Sequence, residues 1–230
     1  MKKRLVILSG AGMSAESGIS PFRDTNGLWN NYRIEDVATP EGFAKNPQLV
    51  LDFYNQRRKE LLTVQPNPGH YGLAALEKDF EVDIITQNVD NLHECAGSSR
   101  VLHLHGELMK SCSVRNPNKP YDISPDRPEL HVGDKDSHGD QLRPFIVWFG
   151  EAVPMIEPAI RIVELSDIFV VIGTSLNVYP AAGLLNYVTK RQPIYLIDPN
   201  KVKTHRSDIQ IIKTGASEGV KQLTALLKQA

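Results

Sequence analysis

Ser9-Gly10-Ala11-Gly12-Met13-Ser14-Ala15-Glu16-Ser17-Gly18-Ile19-Ser20-Pro21-Phe22-Arg23 follows directly on an apolar run, Leu5 to Leu8. An apolar strand, a glycine-bounded turn and then helix-compatible residues form the local plan of a dinucleotide-binding unit. Gly10 permits the turn, Gly12 lets backbone approach a pyrophosphate, and Ala15 takes the small third position for close helix–strand packing. Helix N-terminal amides are then expected to face the phosphates. Gly18 and Pro21 stop that helix within about one turn. The chain is therefore expected to bend back over the bound group, bringing Phe22 and Arg23 with it.

Outside this stretch, short Val/Ile/Leu runs recur at Arg4–Leu8, Val82–Thr86, Val101–His105, Phe145–Trp148, Ile168–Ile172, Pro193–Ile197 and Ile209–Ile212. Helical patterns fall at Pro47–Thr63, Tyr71–Lys78, Pro158–Leu165, Ala181–Lys190 and Ser217–Lys228. Continuous apolar runs suit strands buried on both faces, so the expected fold is α/β with a parallel sheet and helices on both sides. Two stretches break the rhythm. Residues 31–64 are mostly helical, and residues 107–143 are polar, with little core-forming power. Together they predict a small inserted module, leaving 1–30, 65–106 and 144–230 for the nucleotide-binding domain.

Composition excludes several classes. The 230 residues carry 26 basic and 27 acidic side chains, a net charge of −1, so no global field favours nucleic acid or an anionic membrane surface. No run approaches 18 apolar residues. The basic start, Met1 to Arg4, lacks a signal peptide's longer apolar region. Two cysteines, Cys95 and Cys112, give no disulfide framework and point to the cytoplasm.

Several polar clusters fall at the expected C-terminal ends of strands, where ligands bind in open α/β sheets. Gln87, Asn88 and Asp90 supply amides and a carboxylate for ribose hydroxyls or a carboxamide; a helix cap by Asn88 or Asp90 is the alternative. His103 and His105 share a strand face, a spacing that also suits a metal pair, while a structural role is the better reading of either histidine taken alone. His105, beside Gly106, is the candidate general base. Gly173-Thr174-Ser175 suits a phosphate. Asp198 is a candidate acceptor for ribose hydroxyls, and Ala216, just before the last helix, joins the cofactor set.

Read together, Gly10–Ile19, Thr86–His93, His103–Glu107, Leu142–Glu151 and Gly173–Ser175 occur in the order and spacing of the sirtuins, and the chain resembles that family over essentially its whole length. The resemblance implies a Rossmann-type domain with a small zinc-ribbon and helical module. It implies NAD-dependent removal of acyl groups from protein lysines, with release of nicotinamide and 2′-O-acyl-ADP-ribose. His105 matches the catalytic base, while Gln87, Asn88 and Asp90 match the nicotinamide and ribose site. Ala11, Ala15, Phe22 and Arg23 match the cofactor loop, and Gly173, Thr174 and Ser175 the phosphate and ribose contacts. Val147 and Phe149-Gly150-Glu151 match the edge to which substrate peptide adds by backbone pairing.

Ala38, Tyr54 and Arg57 match the acyl pocket of class III sirtuins, which accepts succinyl- and malonyl-lysine as well as acetyl-lysine. A guanidinium suits a distal carboxylate; the alternative is a solvated charge run, Arg57-Arg58-Lys59-Glu60. The chain departs from the family at the zinc site. Where two C-x-x-C pairs are usual, it has Cys112-Ser113-Val114-Arg115 and Lys135-Asp136-Ser137-His138. That is too few ligands for structural zinc. The expectation is a zinc-free module held by packing and hydrogen bonds, with Arg115 and Lys135 pairing with nearby Asp. Asp198 stands where Asn is more typical, which suits NAD over NADP. Mono-ADP-ribosyl transfer and a non-catalytic NAD-binding module are the alternative functions.

Overall fold

The computed structural model describes residues 2–19 and 32–228. Its centre is a six-stranded, all-parallel sheet of β1 (Arg4–Ser9), β2 (Glu81–Thr86), β3 (Val101–His103), β7 (Ile168–Ile172), β8 (Ile194–Ile197) and β9 (Ile209–Ile212). The order is β3-β2-β1-β7-β8-β9, a doubly wound arrangement whose direction of winding reverses beside β1. Ligands bind in such sheets in the crevice at the carboxyl ends of the strands flanking this switch point. Here that means the loops after Ser9, Thr86 and Ile172.

The sheet is apolar on both faces because helices cover both. One face packs Leu5, Ile7, Val82, Ile84, Val170 and Ile172 against α4 (Pro68–Ala75) and α7 (Ala216–Leu227). The other packs Val6, Leu8, Phe169 and Val171 against α6 (Ile156–Glu164) and a 3₁₀ segment, Ala181–Tyr187. A third cluster joins α1 (Ile34–Val37), α2 (Pro40–Lys45) and α3 (Pro47–Leu61) to an antiparallel sheet. That sheet comprises β4 (Gly106–Ser113), β5 (Tyr121–Asp122) and β6 (Leu142–Ile146), in the order β5-β4-β6.

The antiparallel sheet corrects two expectations. The apolar run Phe145–Trp148 is not a parallel strand; its first half belongs to β6, which pairs with β4. Nor is 107–143 poor in core, since Leu108, Ile123 and Leu130 are buried there. Lys110 and Ser111 mask β4 by interrupting its apolar alternation.

A third correction concerns the turn after β1. No α-helix follows it among the described residues; two 3₁₀ turns, Ala11–Met13 and Ala15–Ser17, do, and Gly18 ends them. Ala15 is exposed and packs against no strand. Close packing falls instead to Gly12, where an added Cβ would stand 2.7 Å from the Gly173 Cα. Gly173 itself has φ +62°, which a glycine adopts at little cost.

Segment 107–143 is tied to α3 by two buried side chains. Asn55 clamps the chain across 75 residues: its Nδ2 donates to the Leu130 carbonyl at 2.9 Å, and its Oδ1 accepts the Leu130 N–H at 2.9 Å. Arg58 is fully buried and donates to the carbonyls of Pro128 at 2.5 Å and Leu108 at 3.4 Å, and to Asn55 Oδ1. Arg115 pairs with Asp140 at 3.1 Å, whereas Lys135 meets Gln141 through backbone bridging rather than an ion pair with Asp. Cys112 is buried as a free thiol, and burial pushes it up to about 11. Among the described residues no three His, Cys, Asp or Glu side chains gather as metal ligands.

Candidate active site

The loop after β2 builds the centre of the site. Thr86 ends the strand buried, and its Oγ1 accepts the Asn88 N–H at 3.0 Å. Asn88 turns its amide inward, Nδ2 donating to Ser14 Oγ at 3.1 Å. Ser14 Oγ donates in turn to Asp90 Oδ2 at 2.9 Å, and Asp90 Oδ1 accepts the Leu92 N–H at 3.2 Å. Asp90 therefore supports the start of α5 (Leu92–Cys95) as well as the polar cluster. Burial pushes its carboxyl above the usual range, while the Leu92 N–H and the Ser14 hydroxyl oppose the rise. Asn88, Asp90 and Ser14 are thus buried and joined to one another, and burial strengthens such hydrogen bonds.

These residues wall a cavity of about 280 Å³, completed by Ala11, Gly18, Ile19, Val64, Leu108 and Arg57. Arg57 is therefore no part of a solvated charge run; like Arg58, it is buried, and only Lys59 and Glu60 of that run are exposed. Tyr54, one turn earlier, is buried too, with its hydroxyl accepting the Trp148 Nε1–H at 3.0 Å. Burial pushes that phenol up to about 12.

Beside the cavity, the loops after β1 and β7 touch backbone to backbone. Gly10 N–H donates to the Ile172 carbonyl at 2.9 Å and Gly12 N–H to the Gly173 carbonyl at 2.8 Å. Side chains at Gly10 and Gly12 would fill this approach. Gln87 Nε2 bridges to Thr174 Oγ1 at 3.1 Å, so the β2 and β7 loops are joined as well. Asp198 closes β8, its Oδ1 accepting the Asn200 N–H at 2.8 Å, and Ala216 opens α7. The close approach of the β1 and β7 loops at Gly10, Gly12 and Gly173, with buried amide and carboxylate groups beside it at the carboxyl ends of the strands, fits the crevice position of a dinucleotide such as NAD. Phe22 and Arg23 lie outside the described residues.

His105 follows β3. Its Nδ1 lies 3.0 Å from the Gln87 carbonyl, and its own carbonyl accepts the Val147 N–H at 2.9 Å. It is not in the cavity wall but sits between the β2 loop and the segment after β6. Burial pulls its pKa below the ordinary histidine value, against the Gln87 contact. In that segment Phe149 N–H donates to the Ala38 carbonyl at 3.0 Å and Trp148 N–H to Glu151 at 2.8 Å. The N–H groups of Val147, Trp148 and Phe149 are all engaged, so a peptide strand added here must use other groups of the segment. Glu151 is held by Arg143 at 2.6 Å, and the Arg143 guanidinium stacks 3.5 Å from the Trp148 ring centroid.

Sequence reasoning singled out neither Asn55 nor Arg58, and it weighed His103 as half of a metal pair or as a structural histidine. The signal for His103 was present, since it shares a strand face with His105. Its partners are Asn88 and Glu94 rather than a metal: Nδ1 lies 3.0 Å from the Asn88 carbonyl, and Nε2 lies 2.8 Å from Glu94 Oε1.

Comparison with known proteins supports the same reading. The family model described as the Sir2 family matches residues 10–180. An NAD-dependent protein deacylase of Bacteroides thetaiotaomicron is 62% identical over 229 residues, covering 98% of both chains. One from Helicobacter pylori is 53% identical over 222 residues, covering 96% of both. A solved Sir2 homologue–NAD complex superposes with TM-score 0.87 at 40% identity, covering 99% of this chain and 90% of the other. A Sir2 complex with 2′-O-acetyl-ADP-ribose and a deacetylated p53 peptide superposes with TM-score 0.79 at 28% identity, covering 100% and 96%.

Proposed function

The chain belongs to the Sir2 family and is an NAD-dependent protein deacylase, and we propose that its acyl cavity takes acidic acyl-lysines as well as acetyl-lysine. The observation that carries this is the position of Arg57, buried in the wall of the cavity that also holds Asn88 and Asp90. A guanidinium in a cavity wall suits bidentate pairing with a planar carboxylate, and a succinyl or malonyl group carries one at its distal end. Tyr54, one turn before Arg57 on α3, is buried with its hydroxyl accepting the Trp148 Nε1–H, which leaves the hydroxyl proton free to donate.

NAD held in the crevice between the loops after β1, β2 and β7 would supply an electrophilic ribose carbon and a ribose hydroxyl for the acyl group. The chain's own residues orient and exchange protons. Asn88 and Asp90, locked through Ser14, hold the ribose and carboxamide ends. His105 takes a proton at Nε2 from a ribose hydroxyl, acting as general base. Substrate peptide lies along Val147–Gly150. We assign Asp198 and Ala216 to the adenosine end, 31–64 and 107–143 to a substrate-side module over the NAD domain, and the enzyme to the cytoplasm, which suits two free thiols.

The test is NAD-dependent turnover of matched acetyl- and succinyl-lysine peptides by wild type and Arg57→Met. Losing a charge-assisted hydrogen bond should cost succinyl turnover about ten- to a hundredfold, with acetyl turnover kept. Equal loss on both peptides would remove Arg57 from acyl recognition. Turnover of neither by wild type would overturn the deacylase reading.

A further inference from the structure

Two histidines leave the end of β3 side by side, and the structure gives them opposite charge requirements. His105 has one protein acceptor, the Gln87 carbonyl at Nδ1, and a neutral ring satisfies it. His103 has two: the Asn88 carbonyl 3.0 Å from Nδ1 and the Glu94 carboxylate 2.8 Å from Nε2. Neither neutral tautomer serves both. With the proton on Nδ1, the Nε2 lone pair faces a carboxylate; with the proton on Nε2, the Nδ1 lone pair faces a carbonyl. Only the imidazolium donates twice.

We propose that His103 is a positioning residue: as an imidazolium bridging Glu94 and the Asn88 carbonyl, it holds Asn88 for the reaction, making turnover depend on a proton distinct from that of His105. The proposal rests on the deacylase reading. Asn88 is gripped at three points: its N–H by Thr86, its side chain by Ser14 and its carbonyl by His103. Of these only the last is charge-assisted, so its loss loosens the residue that orients the ribose.

The surroundings favour the charged ring. Burial works against it, but Glu94 on α5 and Glu107 on β4 raise the His103 pKa above its ordinary value. Asp90, on the β2 loop, also feels the His103 charge, which favours its carboxylate. His93, on α5, is buried, and its pKa is pulled well below the ordinary value by that burial, the neighbouring imidazoles adding to the effect. It therefore adds no competing charge at neutral pH. Glu94 itself is shifted below the usual carboxylate range: burial opposes ionisation, and the His103 contact together with Lys110 outweighs it.

The experiment is the pH profile of kcat for acyl-peptide turnover by wild type and Glu94→Gln, with nitrogen-15 NMR of the wild-type imidazoles. Wild type should show an acid limb, as His105 loses its lone pair, and an alkaline limb, as His103 loses its proton. Glu94→Gln keeps an acceptor but removes the charge. The alkaline limb should move down by about one pH unit or more, with the acid limb in place. By NMR both His103 nitrogens should be protonated at neutral pH. An alkaline limb that is absent, or that stays put in Glu94→Gln, overturns the proposal, and so does a neutral His103 ring. The NMR result needs no turnover, so it stands or falls separately from the deacylase reading.

Discussion

His105 Nδ1 lies 3.0 Å from the backbone carbonyl oxygen of Gln87, and that contact settles which ring nitrogen carries the proton. A carbonyl only accepts, so Nδ1 donates and Nε2 keeps the lone pair a base requires. The enzyme should be active only with His105 neutral. Burial lowers its pKa from the usual value of about 6.5, so turnover should rise with pH through a limb below that value and then level until the alkaline limb. His105→Ala should lose at least about 100-fold in kcat while still being stabilised by NAD in thermal melts. Persisting turnover would assign the base elsewhere.

The backbone contact between Gly12 and Gly173 predicts a second effect. A Cβ on residue 12 would stand 2.7 Å from the Gly173 Cα, and neither backbone can yield as a flexible side chain could. Gly12→Ala should destabilise the fold by about 1–3 kcal/mol in denaturant titration. Its NAD-induced shift in Tm should fall as the two loops separate. A variant with wild-type stability and an unchanged NAD shift would show that the contact is looser than described.

Asn55 and Arg58 tie the Pro128–Leu130 segment to α3. Asn55→Ala leaves the Leu130 N–H and carbonyl unpaired in a buried place, which should cost about 1–3 kcal/mol for each group left unsatisfied. Urea unfolding checks this directly. Neither wild-type stability nor the size of the loss should change with added zinc or chelator.

His70 predicts acid sensitivity. It is fully buried, its Nδ1 accepting the Asn67 N–H at 3.2 Å, and burial lowers its pKa to about 4. A proton favours the unfolded state wherever the folded pKa is the lower one. The stability is therefore fully present above about pH 6.5 and is lost as pH falls through about 4. The shift corresponds to about 3 kcal/mol at most. Unfolding titrations between pH 7 and 4 should show the slope, and His70→Gln should flatten it. An unchanged slope would place the acid sensitivity in other groups.

Much of the site is legible because its chemistry is local. Gly10 and Gly12 stand in a turn after an apolar strand, and Gln87, Asn88 and Asp90 stand immediately after another. What was not legible depends on distant chain. Arg57 reads as a pocket residue with a solvated charge run as the alternative, but nothing marks its neighbour Arg58, which is buried because β4 and the Pro128 carbonyl arrive from roughly 50 to 70 residues away. Ala15 looked like a helix-packing position, and the 3₁₀ turns left it exposed. β4 was hidden by Lys110 and Ser111, whose surroundings are supplied by β5 and β6.

The amino-acid order alone determined the parallel sheet with helices on both faces, the glycine turn and the strand-end places of Gln87, Asn88, Asp90 and His105, because strand burial and turn conformation follow from neighbours a few residues apart. The tertiary structure decided the rest: the strand order, that Gly12 is required by Gly173, that Asn55 and Arg58 hold the Pro128–Leu130 segment to α3, and that His103 has two acceptors where His105 has one. Burial and hydrogen-bond partners set those properties, and both come from chain remote in sequence, so no local pattern encodes them.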